Sequence, residues 1–184
     1  MLLRIVLLFI LLPAISFAQK GNITEDFETG LKKGYDVADA VLKTGSWKFD
    51  GALIGSTDSN LGNGKSSVRI QGKAGDEKRN GILGMNFDYE NLKSIKVTCG
   101  LYAADVSRKG ILDIFMSTDG GETYSKIDRV EIPARTDYLV SQTITLRLPD
   151  SAKARFKFVN SSGYLANGVT ARINVDDIVF RFKK

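Results

Sequence analysis

The chain of 184 residues contains no histidine, a single cysteine and three prolines. Without an imidazole there is no Ser-His-Asp or Cys-His nucleophile, no His-ligated zinc, and no His general acid or base working near neutral pH. One cysteine makes neither an internal disulfide nor a thiolate cluster for zinc or an iron-sulfur centre. What remains is ordinary for a folded protein: the length suits one domain, and 43% of the residues are hydrophobic.

The first 18 residues, MLLRIVLLFILLPAISFA, carry Arg4, an apolar run from Ile5 to Leu12, the helix-breaking Pro13, and the small residues Ser16 and Ala18. Small residues three before and immediately before a bond are what signal peptidase accepts, which places cleavage between Ala18 and Gln19. The expectation is a signal peptide over 1–18 and a single exported domain over 19–184, periplasmic or extracellular. The apolar run is short of the roughly 20 residues a bilayer span needs, so the mature chain is expected to hold no membrane span. No cysteine stands at the cleavage site to carry a lipid. Removal of 18 residues, Arg4 among them, leaves 166 residues and lowers the net charge from +5 to +4. A domain of that size buries roughly 70% of its unfolded surface without disulfides. Sequons at Asn22 and Asn160 would be acceptors only in a eukaryotic secretory pathway.

The mature chain alternates with period two. From 95 to 103, Ile95, Val97, Cys99, Leu101 and Ala103 share one face and Lys96, Thr98 and Tyr102 the other. Cys99 therefore points inward as an inert thiol. Ala152, Ala154, Phe156 and Phe158 face in while Lys153, Arg155 and Lys157 face out; Val140, Ile144, Leu146 and Leu148 alternate likewise, with Gln142 on the apolar phase. Shorter pieces of the same character lie at 24–27, 40–42, 46–49, 66–70, 82–87, 110–117 and 126–132, divided by turns such as Gly62-Asn63-Gly64 and Ser161-Ser162-Gly163. The segment 36–44, bracketed by Gly34 and Gly45, is assigned to strand. About ten strands and little helix predict an all-β, two-sheet antiparallel β-sandwich, a jelly roll.

Three constellations could carry function. Residues 117–124, Ser-Thr-Asp-Gly-Gly-Glu-Thr-Tyr, match the Asp-box pattern with Tyr124 in the aromatic place. Asp119 can accept backbone N–H bonds across the turn while Tyr124 folds back over the hairpin, so the motif specifies a hairpin and not an activity. In the closing segment the apolar phase is odd at Ile173 and Val175 but even at Ile178, Phe180 and Phe182, which predicts a bulge at Asp176 and Asp177. Lys153, Arg155 and Lys157, with Arg147 on a neighbouring predicted strand, form a basic stripe without aromatic interleaving, and Lys73, Lys78 and Arg79 share a polar loop with Asp76 and Glu77. The stripe reads as a solvated face that discourages edge pairing.

Phe27-Glu28 near the start, Gly45-Ser46-Trp47, Gly64-Lys65-Ser66-Ser67-Val68-Arg69, the Ser-x-Asp-Gly-Gly hairpin and the closing Val175-Asp176-Asp177-Ile178 together resemble exported bacterial jelly-roll modules. These modules are similar to carbohydrate-binding modules and to MAM-type or choice-of-anchor domains. In several such families the first and last strands share one structural calcium ion. Carried over, the resemblance implies Glu28 and Asp176 as its ligands, with Asp177 the alternative, and calcium's preference for six to eight hard oxygens suits such an acidic cluster. It also implies a core place for Trp47.

The function expected is a non-catalytic exported recognition module that binds carbohydrate, a glycan or cell-surface polymer. Aromatic faces stack on sugars, and loop position selects Tyr164 with Asn167, and Tyr35, as ligand-binding candidates. A structural or adhesive domain that binds other exported proteins is the alternative. A glycan-active jelly-roll enzyme is disfavoured because its paired carboxylates are missing: the pattern Glu-x-Asp-x-x-Glu does not occur. No nucleic-acid partner is expected.

Overall fold

Alternation leaves each strand with one apolar side, and a second layer of strands is what covers it. The computed structural model describes residues 21–56, 64–72, 80–105, 107–134, 139–162 and 171–183. Thirteen strands are found there: β1 (Asn22–Glu25), β2 (Ala38–Leu42), β3 (Gly45–Asp50), β4 (Ala52–Ser56), β5 (Ser66–Ile70), β6 (Ile82–Met85) and β7 (Tyr89–Glu90) in the first half. The second half adds β8 (Leu92–Leu101), β9 (Gly110–Ser117), β10 (Ser125–Ile132), β11 (Val140–Thr145), β12 (Lys153–Asn160) and β13 (Ile173–Phe182). One 3-10 turn, Ala103–Asp105, is the described helical element, and no described helix is long and apolar enough to cross a membrane.

The strands form two antiparallel sheets, as the periodicity predicts. The six-stranded sheet runs β11-β8-β13-β5-β4, with β1 also on β13; the seven-stranded sheet runs β10-β9-β12-β6-β3-β2, with β7 also on β12. The expected strands are all present, 36–44 among them as β2. The two that go beyond the expectation, β4 and β7, lack a pattern of their own. β4 follows β3 after the single residue Gly51, whose φ of 60° swings the chain from one sheet to the other, and β7 is two residues long.

Between the sheets lies an aromatic core centred on Trp47, which is fully buried. Phe27 and Phe87 meet its ring edge-on at 6.0 and 5.8 Å, and Phe158 stacks on it at 6.4 Å. Its indole N–H donates to Thr44 Oγ1 (2.9 Å), whose hydroxyl donates to Glu25 Oε2 (2.6 Å). Glu25, buried at the end of β1, also accepts the backbone N–H of Thr44 (3.0 Å) and of Phe27 (3.0 Å), so a carboxylate inside the rim satisfies the donors where β1 turns off. Cys99 is buried, and desolvation pushes its thiol up to about 12, so it is unreactive.

Two irregularities in the alternation acquire causes. Val175 pairs with Cys99 but Ile178 with Val97, so three steps along β13 match two along β8 and the expected bulge falls at the aspartates. There β13 also changes its other neighbour, from β5 at Ile173–Val175 to β1 at Ile178–Arg181. Gln142 sits on the inner phase because its amide donates to Asp128 Oδ2 (3.3 Å) on β10, bonding the edge of one sheet to the edge of the other.

A second bridge is stronger. Asn160, at the end of β12, is wholly buried; its Nδ2 donates to the carbonyls of Ile70 (2.9 Å) and Ala171 (2.8 Å), and its Oδ1 accepts from the backbone N–H (3.1 Å) and hydroxyl (2.6 Å) of Ser162. The sequon asparagine is thus a structural clamp, closed to glycosylation in the folded state. Asn160→Ala strands two carbonyls and an N–H, and should lower stability by about 3 kcal/mol, roughly 6–12 °C in midpoint, as measured by urea and thermal unfolding.

Candidate functional site

The pleat that turns Phe156 and Phe158 inward turns Arg155 and Lys157 outward, on the exposed side of the seven-stranded sheet. Register then dictates what surrounds them. One continuous row crosses six strands: Lys126 (β10), Phe115 (β9), Lys157 (β12), Gly84 (β6), Lys48 (β3) and Asp39 (β2). At ~4.8 Å per strand it is about 24 Å wide. Gly84 lacks a side chain, which leaves a strip open between Lys157 and Lys48.

The Asp-box hairpin joins β9 to β10 beside this row. Ser117 Oγ donates to Asp119 Oδ1 (2.6 Å), and Asp119 accepts the Thr123 backbone N–H (3.0 Å) and hydroxyl (2.5 Å). Those bonds hold the Asp119 carboxyl well below the usual carboxylate range. Every one of them is internal to the turn, which gives Asp119 the structural role expected of it. Gly121 has a φ of 93°, and a Cβ there would stand 3.2 Å from both Arg155 Cδ and Tyr124 Oη. Its bareness lets the Tyr124 ring fold onto the sheet.

Tyr124 and Phe115 consequently flank Lys157, whose Nζ lies 4.2 Å from the first ring centroid and 5.2 Å from the second. Two residues earlier on the same strand, Arg155 makes a bidentate pair with Asp88 (2.6 and 3.0 Å), which raises its pKa above the ordinary value. At the margin Asp113 takes Lys126 (2.7 Å) and Arg129 (2.7 and 3.1 Å). Burial opposes ionisation of Asp113, yet bonds from Arg129, Lys126 and Ser161 outweigh it and hold the carboxyl at about 2.

The basic stripe therefore differs from its expected form. Aromatic rings do interleave it, supplied by β9 and the hairpin and not by β12 itself. Arg147 does not join it: β11 ends at Thr145 and belongs to the opposite sheet. The loop bearing Lys73, Lys78 and Arg79 lies outside the described residues, as do Tyr164 and Asn167. Tyr35 is half-buried away from this face, toward the six-stranded sheet. Its carbonyl accepts the Gly51 N–H (3.0 Å), and it lies within electrostatic range of Arg172. Arg172 and Arg69 there cover the two sides of Tyr102 at 4.1 and 3.8 Å, and Asp105 pairs with Arg172 (2.7 Å).

The acids expected to hold calcium are near the β1–β5–β13 junction. Glu28 Oε1 accepts the backbone N–H groups of Lys65 (2.7 Å) and Ser66 (3.0 Å) and so caps the start of β5, which pairs with β13 as far as Val175, one residue before Asp176. Asp176 is buried and Asp177 half-buried. Lys43 bonds Asp26 (2.8 Å) and is held charged first by that carboxylate, then by Glu25 and Asp177. Among the described residues no three Asp, Glu, His or Cys side chains converge to hold a metal.

No family model matches the chain, and no curated protein sequence matches it. Solved structures do share its fold. The K2 cleaved adhesin domain of Lys-gingipain matches with a TM-score of 0.62 at 14% identity, over 88% of this chain and 100% of that one. The CBM22-1 xylan-binding domain from Paenibacillus barcinonensis Xyn10C matches with a TM-score of 0.56 at 15% identity, over 91% and 99%. A CBM61 module in complex with β-1,4-galactotriose matches with a TM-score of 0.50 at 14% identity, over 85% and 94%.

Because the folded-state carboxyl of Asp113 is depressed from 3.8 to about 2, its contribution is full above pH ~4 and disappears as pH falls through 2. Wild type should exceed Asp113→Asn by about 1–2 kcal/mol at pH 7, discounted for the half-exposed partners, and the gap in thermal midpoint should close between pH 4 and 2. The chain shares the β-sandwich fold of these adhesin and carbohydrate-binding domains.

Proposed function

We propose that this chain is a non-catalytic, exported recognition module that binds carbohydrate on the outer face of its seven-stranded sheet. The observation that carries the proposal is the Lys126–Phe115–Lys157–Gly84–Lys48–Asp39 row with Tyr124 folded beside it. Ring faces suit the apolar side of a pyranose, lysine donors suit its oxygens, and the strip over Gly84 gives a chain of sugars a path. Fold-sharing domains whose names specify xylan or a galactotriose as ligand support the same class.

Binding to a panel of soluble polysaccharides, followed by calorimetry, tests it. Phe115→Ala and Tyr124→Ala should each weaken binding by about tenfold while the thermal midpoint moves little, because both rings stand outside the core. Tyr164→Ala and Tyr35→Ala belong in the same experiment: loss with these and not with Phe115→Ala moves the ligand to the loop end. If no polysaccharide binds, a structural or adhesive role toward other exported proteins takes precedence. That second reading is favoured by exposed Val41 on β2, the last strand of its sheet, and exposed Val37 just before it, with exposed Leu31 near them in sequence.

One structural calcium ion, held by Glu28 with Asp176 or Asp177, is part of the proposal and would tie the start of β5 to β13. Backbone carbonyls would have to complete its six to eight oxygens. Calcium should then raise the thermal midpoint by several degrees and excess chelator should reverse the rise; an unchanged midpoint removes calcium from the account.

A further inference from the structure

Lys157 differs from the cations around it. Arg155 is closed off by Asp88, Lys126 by Asp113, and Lys153 lies 3.8 Å from Glu90. Lys157 is half-buried, and among the described residues no carboxylate or carbonyl accepts from its ammonium. The ring faces of Phe115 and Tyr124 compensate its charge in part. Burial accordingly pulls its pKa below the ordinary value, with no neighbouring acid to offset the shift. Lys48, across the open position of Gly84, likewise has no described carboxylate within ion-pair distance. Two steps of ~4.8 Å set the two lysines about 10 Å apart. Three donors on a partly desolvated ammonium, held against two rings beside a bare strip of sheet, are what an anionic oxygen would complete.

We propose that the ligand is an acidic glycan whose carboxylate or sulfate docks on Lys157, with a second anionic group along the same chain reaching toward Lys48. The inference rests on the carbohydrate reading above and narrows it: the pyranose lies against Phe115 and Tyr124, and its acid group replaces the missing counter-ion. Because the aromatic rings already hold the lysine in place, little side-chain freedom is lost on binding.

The test compares polygalacturonate with its carboxyl-reduced neutral form, and dextran sulfate with dextran, which separates a carboxylate from a sulfate ligand. Wild-type protein should bind one acidic polymer roughly ten- to a hundredfold more tightly than its neutral counterpart. Lys157→Met keeps the stem and removes the charge; it should abolish that preference while melting at or above the wild-type temperature. Lys157→Gln serves as the second variant should the methionine protein fail to fold. Lys153→Met, two turns of the pleat away and beside Glu90, should leave the preference intact. If acidic and neutral polymers bind equally, the glycan reading stands and the acidic site falls. If Lys153→Met weakens acidic binding as much as Lys157→Met, the preference is diffuse charge and the site falls. If wild type binds none of the four polymers, the acidic site falls, and the polysaccharide panel decides the carbohydrate reading separately.

Discussion

Every face of this sandwich depends on the two sheets being held in one relative position, and a single amide does much of that. Asn160 belongs to β12 of one sheet, yet its side chain bonds the carbonyls of Ile70, at the end of β5, and of Ala171, just before β13, in the other. With all its hydrogen-bonding capacity used inside the protein, any sliding of one layer past the other leaves polar groups dry and unpaired. Apolar packing around Trp47 supplies most of the adhesion but is tolerant of small shifts. Directional bonds at Asn160, and at Gln142 with Asp128, select one arrangement from those the core would accept.

That fixed arrangement is what makes the outer face a surface with defined chemistry. Phe156 and Phe158 anchor β12 from within, so the outward side chains between them are set at the sheet's own spacing. The hairpin adds an aromatic ring from outside the strand, held by Asp119 on one side and admitted by Gly121 on the other. Core packing, turn chemistry and surface chemistry thus converge on Lys157.

Much of the fold was legible because alternation is a direct imprint of the pleat: the inward Cys99, the outward Lys153, Arg155 and Lys157, and the slip at Asp176 and Asp177 are all visible in residue order. β4 and β7 were not: β4 has no alternation of its own and β7 is two residues long, so both take their identity from their partners. The candidate site was legible only by halves. Its lysine could be read off β12, but Phe115 lies 42 positions earlier and becomes its neighbour only through register, which no local pattern encodes. Asn160 misleads for the same reason. As a sequon before a Ser-Ser-Gly turn it has every mark of an exposed residue, and only the approach of Ile70 and Ala171 turns it into core.

The exchange of partners along β13 carries a consequence for how the chain reaches this state. The last strand in sequence is an inner strand of the six-stranded sheet, flanked by β8 on one side and by β5 and β1 on the other. Until it arrives, β1 has no partner among the described strands and β5 and β8 have no common neighbour, so β1 waits for β13. Folding of this layer is a long-range event governed by closure of nearly the whole chain, slow by topology. In this layer the ten-residue β13 is the piece that joins strands from both ends of the described chain.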